Sequence, residues 1–80
     1  MRGLRNWQFE DVVAFLKDNG FIECEIGHNK KTSHHYFKRV YRDMEYLVHV
    51  QYHAGKSIPV GTMNTIVSTS GIAKTKWRGK

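Results

Sequence analysis

The chain predicts an α+β fold in which two helices pack on one face of a three-stranded antiparallel sheet, in the order α-β-β-β-α. Three observations predict it. Residues 9–16 and 60–70 repeat apolar side chains at helical spacing, and the segments between them alternate or are rich in aromatic and β-branched residues. Glycine follows each helical stretch, at Gly20 and Gly71, where a helix end favours it.

In the first helix Phe9, Val12, Val13 and Leu16 fall at i, i+3, i+4 and i+7 and form one apolar face. Asn6 is the expected N-cap, Glu10 and Asp11 suit the positive end of the helix dipole, and Asn19-Gly20 stops the helix. Residues 21–26 then alternate, with Ile22, Cys24 and Ile26 on one face, which predicts a half-buried strand with Cys24 as a small buried side chain. Residues 27–32 form a polar, basic loop. Residues 33–41 and 46–52 read as the strands of a β-hairpin joined by a turn at residues 42–45. That turn lacks an Asn-Gly pair, so the register is open by a residue or two. Val48 and Val50 are expected to face the core, which leaves His49, Gln51 and His53 on the other side.

The last helix, residues 60–70, presents Val60, Met63, Ile66 and Val67 on one face, with Ile72 packing back on its end. Residues 1–73 therefore read as a single domain, and residues 74–80, which hold Trp77, as a basic mobile tail.

Composition narrows the class. A lone cysteine, Cys24, excludes an internal disulfide framework and a thiolate zinc site. A chain of this length buries only about 60% of the surface it exposes when unfolded, so a partner that covers surface matters to it. The longest apolar run, Val12 to Leu16, is far too short for a membrane span, and the first residues carry no secretory signal pattern; a soluble cytosolic protein is expected. The net charge is +6, and it is unevenly spread. Up to Ile26 three bases face five acids, whereas from Gly27 to Lys56 six bases face two, and all five histidines lie in that middle segment. Clustered positive charge points to a polyanionic partner.

Several short blocks together resemble the HicA family of toxin mRNA interferases. They are the first helix, Asn19-Gly20-Phe21, Ser33-His34-His35-Tyr36-Phe37, Val50 to His53 at a strand end, Gly61 to Ile66, and Ser70-Gly71-Ile72. The match spans residues 6–73. It implies a double-stranded-RNA-binding-domain-like fold, an endoribonuclease that cleaves mRNA without a metal, and an acidic HicB-like antitoxin as protein partner. The family's catalytic histidine falls on His34, and the histidine closing its third strand falls on His53. The motif's glycine is replaced here by Thr32, which a family member that binds RNA without cutting it would tolerate.

The residues suit that chemistry. RNA carries its own nucleophile in the 2′-OH; cleavage needs one group to take that proton, one to protonate the leaving 5′ oxygen, and positive charge around phosphorus. Imidazole, with an ordinary pKa of about 6.5, serves for proton transfer, and lysine supplies charge without a metal or other cofactor. If Phe37 faces the core, so does the side of the strand that carries His35, while His34, Tyr36 and Lys38 share the opposite side. The expected site is therefore His34 with His53 for acid/base work, and Lys30, Lys31, Tyr36, Lys38 and Lys56 for RNA binding. A zinc site of His28, His34, His49 and His53 lacks any ligand pair at short spacing. Two alternatives stay open: an RNA-binding module of the same fold without cleavage, and an interaction protein for an acidic partner.

Overall fold

The computed structural model describes residues 4–24, 34–52 and 55–77. Its elements are α1 (Phe9–Asp18), β1 (Ile22–Cys24), β2 (His34–Tyr41), β3 (Met44–Gln51), α2 (Val60–Ser70) and a 3-10 turn, Lys74–Lys76. The strands form one antiparallel sheet in the order β1-β2-β3, so the architecture is the α-β-β-β-α arrangement expected.

Helix α1 starts two residues later than a cap at Asn6 would place it. Asn6 instead has a left-handed backbone (φ 63°) and shapes the turn before the helix. Gln8 is the N-cap, and its backbone N–H donates to Asp11 Oδ2 at 2.9 Å, which satisfies a donor that a helix start leaves unpaired. At the other end Asn19 Nδ2 donates to the Phe15 carbonyl at 2.8 Å, and Gly20 takes φ 89°, so the chain reverses into β1. Val12 and Leu16 are fully buried, with Phe9, Val13 and Phe15 packed at the margin of the core.

β1 alternates as expected but with its faces exchanged. Ile22 pairs with Lys38, Glu23 with Phe37 and Cys24 with Tyr36. Phe37 is fully buried under the helices, so Glu23 shares the helix side, while Ile22 lies outward and 73% exposed and Cys24 is only half-buried. The cause is Phe21. It follows the α1 cap directly and is buried in the core, and the strand's parity runs from that anchor. Ile26, the third member of the expected face, lies outside the described residues.

The β2–β3 turn is tighter than the expected four residues. Tyr41 pairs with Met44, leaving only Arg42 and Asp43 in the loop, both with positive φ (53° and 63°). This is a type I′ turn, whose twist matches that of the strands it joins; Asp43 does the work that Asn-Gly does elsewhere. Val48 and Val50 are fully buried, as their alternation predicts.

α2 packs on β3 through Met63, Ile66 and Val67, whereas Val60 at its start is exposed. The Ser70 hydroxyl is fully buried, donates to the Val67 carbonyl (2.7 Å) and accepts from the Ile72 N–H (3.1 Å), which draws Ile72 back onto the core. Gly71 sits at φ 73°, and a Cβ there would overlap the Tyr46 ring, so two independent constraints demand glycine.

The segment expected to be a mobile tail is not one up to Trp77. Lys74–Lys76 make a 3-10 turn with lysines outward, and Trp77 returns to the core at 3% exposure. Its ring lies 4.1 Å from Phe15 and 5.4 Å from Trp7, centroid to centroid. Charge dominated the reading of this stretch, yet one indole buries enough apolar surface to fix its end.

Candidate functional site

The face of the sheet away from the core is set by the pairing. Across it run the rows Cys24–Tyr36–His49 and Ile22–Lys38–Leu47, flanked by Gln51 at one end and Val40–Glu45 at the other. Side chains that share a row share a face, because paired residues in antiparallel strands project the same way.

The sequence-predicted residues distribute as follows. Tyr36 and Lys38 lie on this open face. His34 begins β2, and its backbone pairs with Gln51 in the row beside Tyr36–His49. Lys56 is exposed in the segment that leads to α2. Lys30, Lys31 and His53 lie outside the described residues, as does His28 of the zinc alternative. Among the described residues no group of three or more His, Cys, Asp or Glu side chains gathers to hold a metal, and no described helix is long and apolar enough to cross a membrane.

Tyr36 and His49 form the centre of the face. Their rings stack across the strand pair, with centroids 4.9 Å apart and planes inclined by 25°. Next to them Lys38 Nζ lies 3.2 Å from Glu45 Oε2, both side chains about half exposed. An exposed pair of this kind is worth about 0.2–1 kcal/mol, so Lys38 can exchange Glu45 for a phosphate at little cost.

Beyond β3 the open face continues into α2. Tyr36, Leu47 and His49 form one wall of a groove of about 320 Å³, and Gly61, Thr62, Thr65 and Thr69 form the other. The threonines recur at i, i+3 and i+7, the spacing of one helix face, a signal present in the sequence beside the apolar stripe.

His35 stands on the opposite side of β2. Its Nδ1 lies 2.7 Å from Glu23 Oε2, and its ring packs 4.9 Å from Phe9, which in turn meets Tyr52 edge to face at 5.2 Å. Against a carboxylate Nδ1 is the donor, so the pair fixes the ring's orientation and straps β1 to β2. His35 is half-buried on the core side, where its alternation with Phe37 places it, and its partner is the Glu23 side chain.

Two features escaped the sequence reading. Ile22, Val40 and Leu47 make the open face more apolar than expected, with Val40 65% exposed. At the hairpin, Arg39 and Arg42 lie 4.5 and 5.3 Å from the Tyr41 ring, so this positive charge is held away from the His34 end of the sheet.

Comparison with protein-family models, with curated proteins and with solved structures returns no match, and the reading of this face rests on its own chemistry and on the motif resemblance.

Proposed function

We propose that the protein is an endoribonuclease of the HicA toxin type, which holds mRNA on the open sheet face and cleaves it without a metal ion. The observation that carries this reading is the stacked Tyr36–His49 pair, flanked by Lys38 and by the strand position of His34. A strand laid across the face meets an aromatic platform, a cation for phosphate, and imidazoles on neighbouring strands.

In the proposed reaction His34 takes the 2′-OH proton as the O2′–P bond forms. A second imidazole donates its proton to the 5′ oxygen as the P–O5′ bond breaks, leaving a 2′,3′-cyclic phosphate and a 5′-hydroxyl. His49 is two pairing steps from His34 and suits the second role; His53, which matches the histidine closing the family's third strand, is the other candidate for it. Lysine charge, from Lys38 together with Lys30, Lys31 and Lys56, stabilises the pentacoordinate phosphorus. The protein acts in the cytoplasm, where mRNA is found, and an acidic antitoxin keeps it silent. Exposed Ile22, Val40 and Leu47 beside Lys38 support a protein partner for this face, since an apolar patch with basic neighbours suits an acidic surface that has its own apolar centre.

The test compares wild type with His34→Ala, both shown to fold by circular dichroism, on single-stranded RNA in chelator. Wild type is expected to release fragments ending in cyclic phosphate, and the variant to release none and to lose growth arrest on induction. Equal cleavage by the variant overturns the assignment. A wild type that shifts RNA on a gel and leaves it intact supports binding without cleavage, the reading that Thr32 at the motif's glycine position favours.

A further inference from the structure

We infer that the groove between the open face and α2 is the subsite for one unpaired nucleotide of the bound strand, and that it selects a base with an amino group, adenine or cytosine, over uracil. This rests on the open-face reading above and adds its sequence preference.

The walls suit a flat neutral ring. Tyr36, His49 and Leu47 offer aromatic and apolar surface on one side, and among the described residues no Lys, Arg, Asp or Glu lines the groove of about 320 Å³. The hydroxyls opposite have a defined polarity. Thr69 Oγ1 donates to the Thr65 carbonyl at 2.9 Å, with the Ile66 carbonyl at 3.2 Å, and Thr65 Oγ1 reaches toward the Gly61 carbonyl at 3.5 Å. A hydroxyl has one proton. Once that proton is committed to the helix backbone, only lone pairs remain for a ligand, so the hydroxyl acts as an acceptor. Adenine and cytosine present an amino donor where uracil and guanine present a carbonyl, and a carbonyl against these lone pairs is repelled.

Gly61, in the first turn of α2, leaves the approach to the groove open, since a Cβ built there touches nothing within 4 Å.

The experiment measures binding of the full chain at low salt to 2′-O-methyl hexanucleotides of A, C, G and U, which lack the 2′-OH and cannot be cut. Wild type is expected to bind the A and C oligonucleotides about three- to tenfold tighter than U, the range one good hydrogen bond supplies. Thr65→Val/Thr69→Val keeps shape and removes the acceptors; it is expected to erase that preference, weakening A and C binding and relieving the repulsion of U. A wild type without preference, or a preference that survives the double valine variant, overturns the base subsite. Failure of wild type to bind any oligonucleotide, even at low salt, defeats the RNA reading itself, a result distinct from binding without preference.

Discussion

The Tyr36 ring lies on the His49 imidazole, 4.9 Å away, across the β2–β3 pair, on the face that the core leaves uncovered. In the proposed function this stacked pair is the platform for bases. Stacking one base on an aromatic side chain is worth about 1–3 kcal/mol. Tyr36→Ala is therefore expected to weaken single-stranded RNA binding by about 5- to 100-fold, and Tyr36→Phe to retain most of the affinity. Fluorescence anisotropy with a labelled oligonucleotide reads the difference, and equal losses in both variants would assign the affinity to the phenol hydroxyl instead.

Glu45 holds Lys38 at 3.2 Å, and in the proposed function it is the competitor of RNA phosphate for that amine. Glu45→Gln is expected to tighten RNA binding about two- to fivefold at low salt while changing stability by less than about 1 kcal/mol, because the exposed pair contributes little to the fold. Lys38→Ala should weaken binding and lower the slope of log affinity against log salt by about one. If Lys38→Ala leaves that slope unchanged, Lys38 touches no phosphate.

Gly71→Ala meets both the left-handed backbone and the Tyr46 ring. The backbone alone costs about 1–2 kcal/mol, and the overlap raises the loss to about 2–4 kcal/mol in urea denaturation. Part of it should be recovered in the Tyr46→Ala background, where the overlap is gone and the backbone cost remains. A double-mutant cycle measures that coupling; strict additivity would show that the ring yields freely.

Trp77 closes the core against Phe15 and Trp7. Trp77→Ala should lose about 3–5 kcal/mol, a large part of what a domain of this size has, and removal of residues 74–80 should abolish cooperative unfolding. Substitution of Lys74 and Lys76 by glutamine, in contrast, should leave the melting temperature within a few degrees, since both are exposed.

Where the sequence was legible, one strong periodic signal acted alone. Val48 and Val50 fixed the inward side of β3 and Phe37 that of β2, and with them the placement of Tyr36, Lys38 and His49 on the open face followed from alternation. Errors arose where two signals competed. Ile22 and Cys24 looked like a core face, but the strand takes its parity from Phe21, which the α1 cap delivers into the core. At the end of the described chain, four formal charges in seven residues outweighed a single tryptophan in the reading, whereas burial of that ring decided the structure. Turn length failed for a third reason: Arg42 and Asp43 both adopt positive φ without a glycine, which local composition does not announce. The threonine face of α2 was visible as spacing, but its meaning depends on which strand it faces, and that is a property of packing.

The difference in length between the outer strand and its neighbour bears on solubility. β1 has three residues and β2 has eight, so past Lys38 the edge of β2 at Arg39, Val40 and Tyr41 has no strand partner among the described residues. An open edge that carries an exposed valine invites pairing with a second chain. Arg39 and Arg42, held against the Tyr41 ring, put two positive charges on that edge. Two copies brought together there would repel one another, so the arginines act as gatekeepers that keep an unfinished sheet from growing.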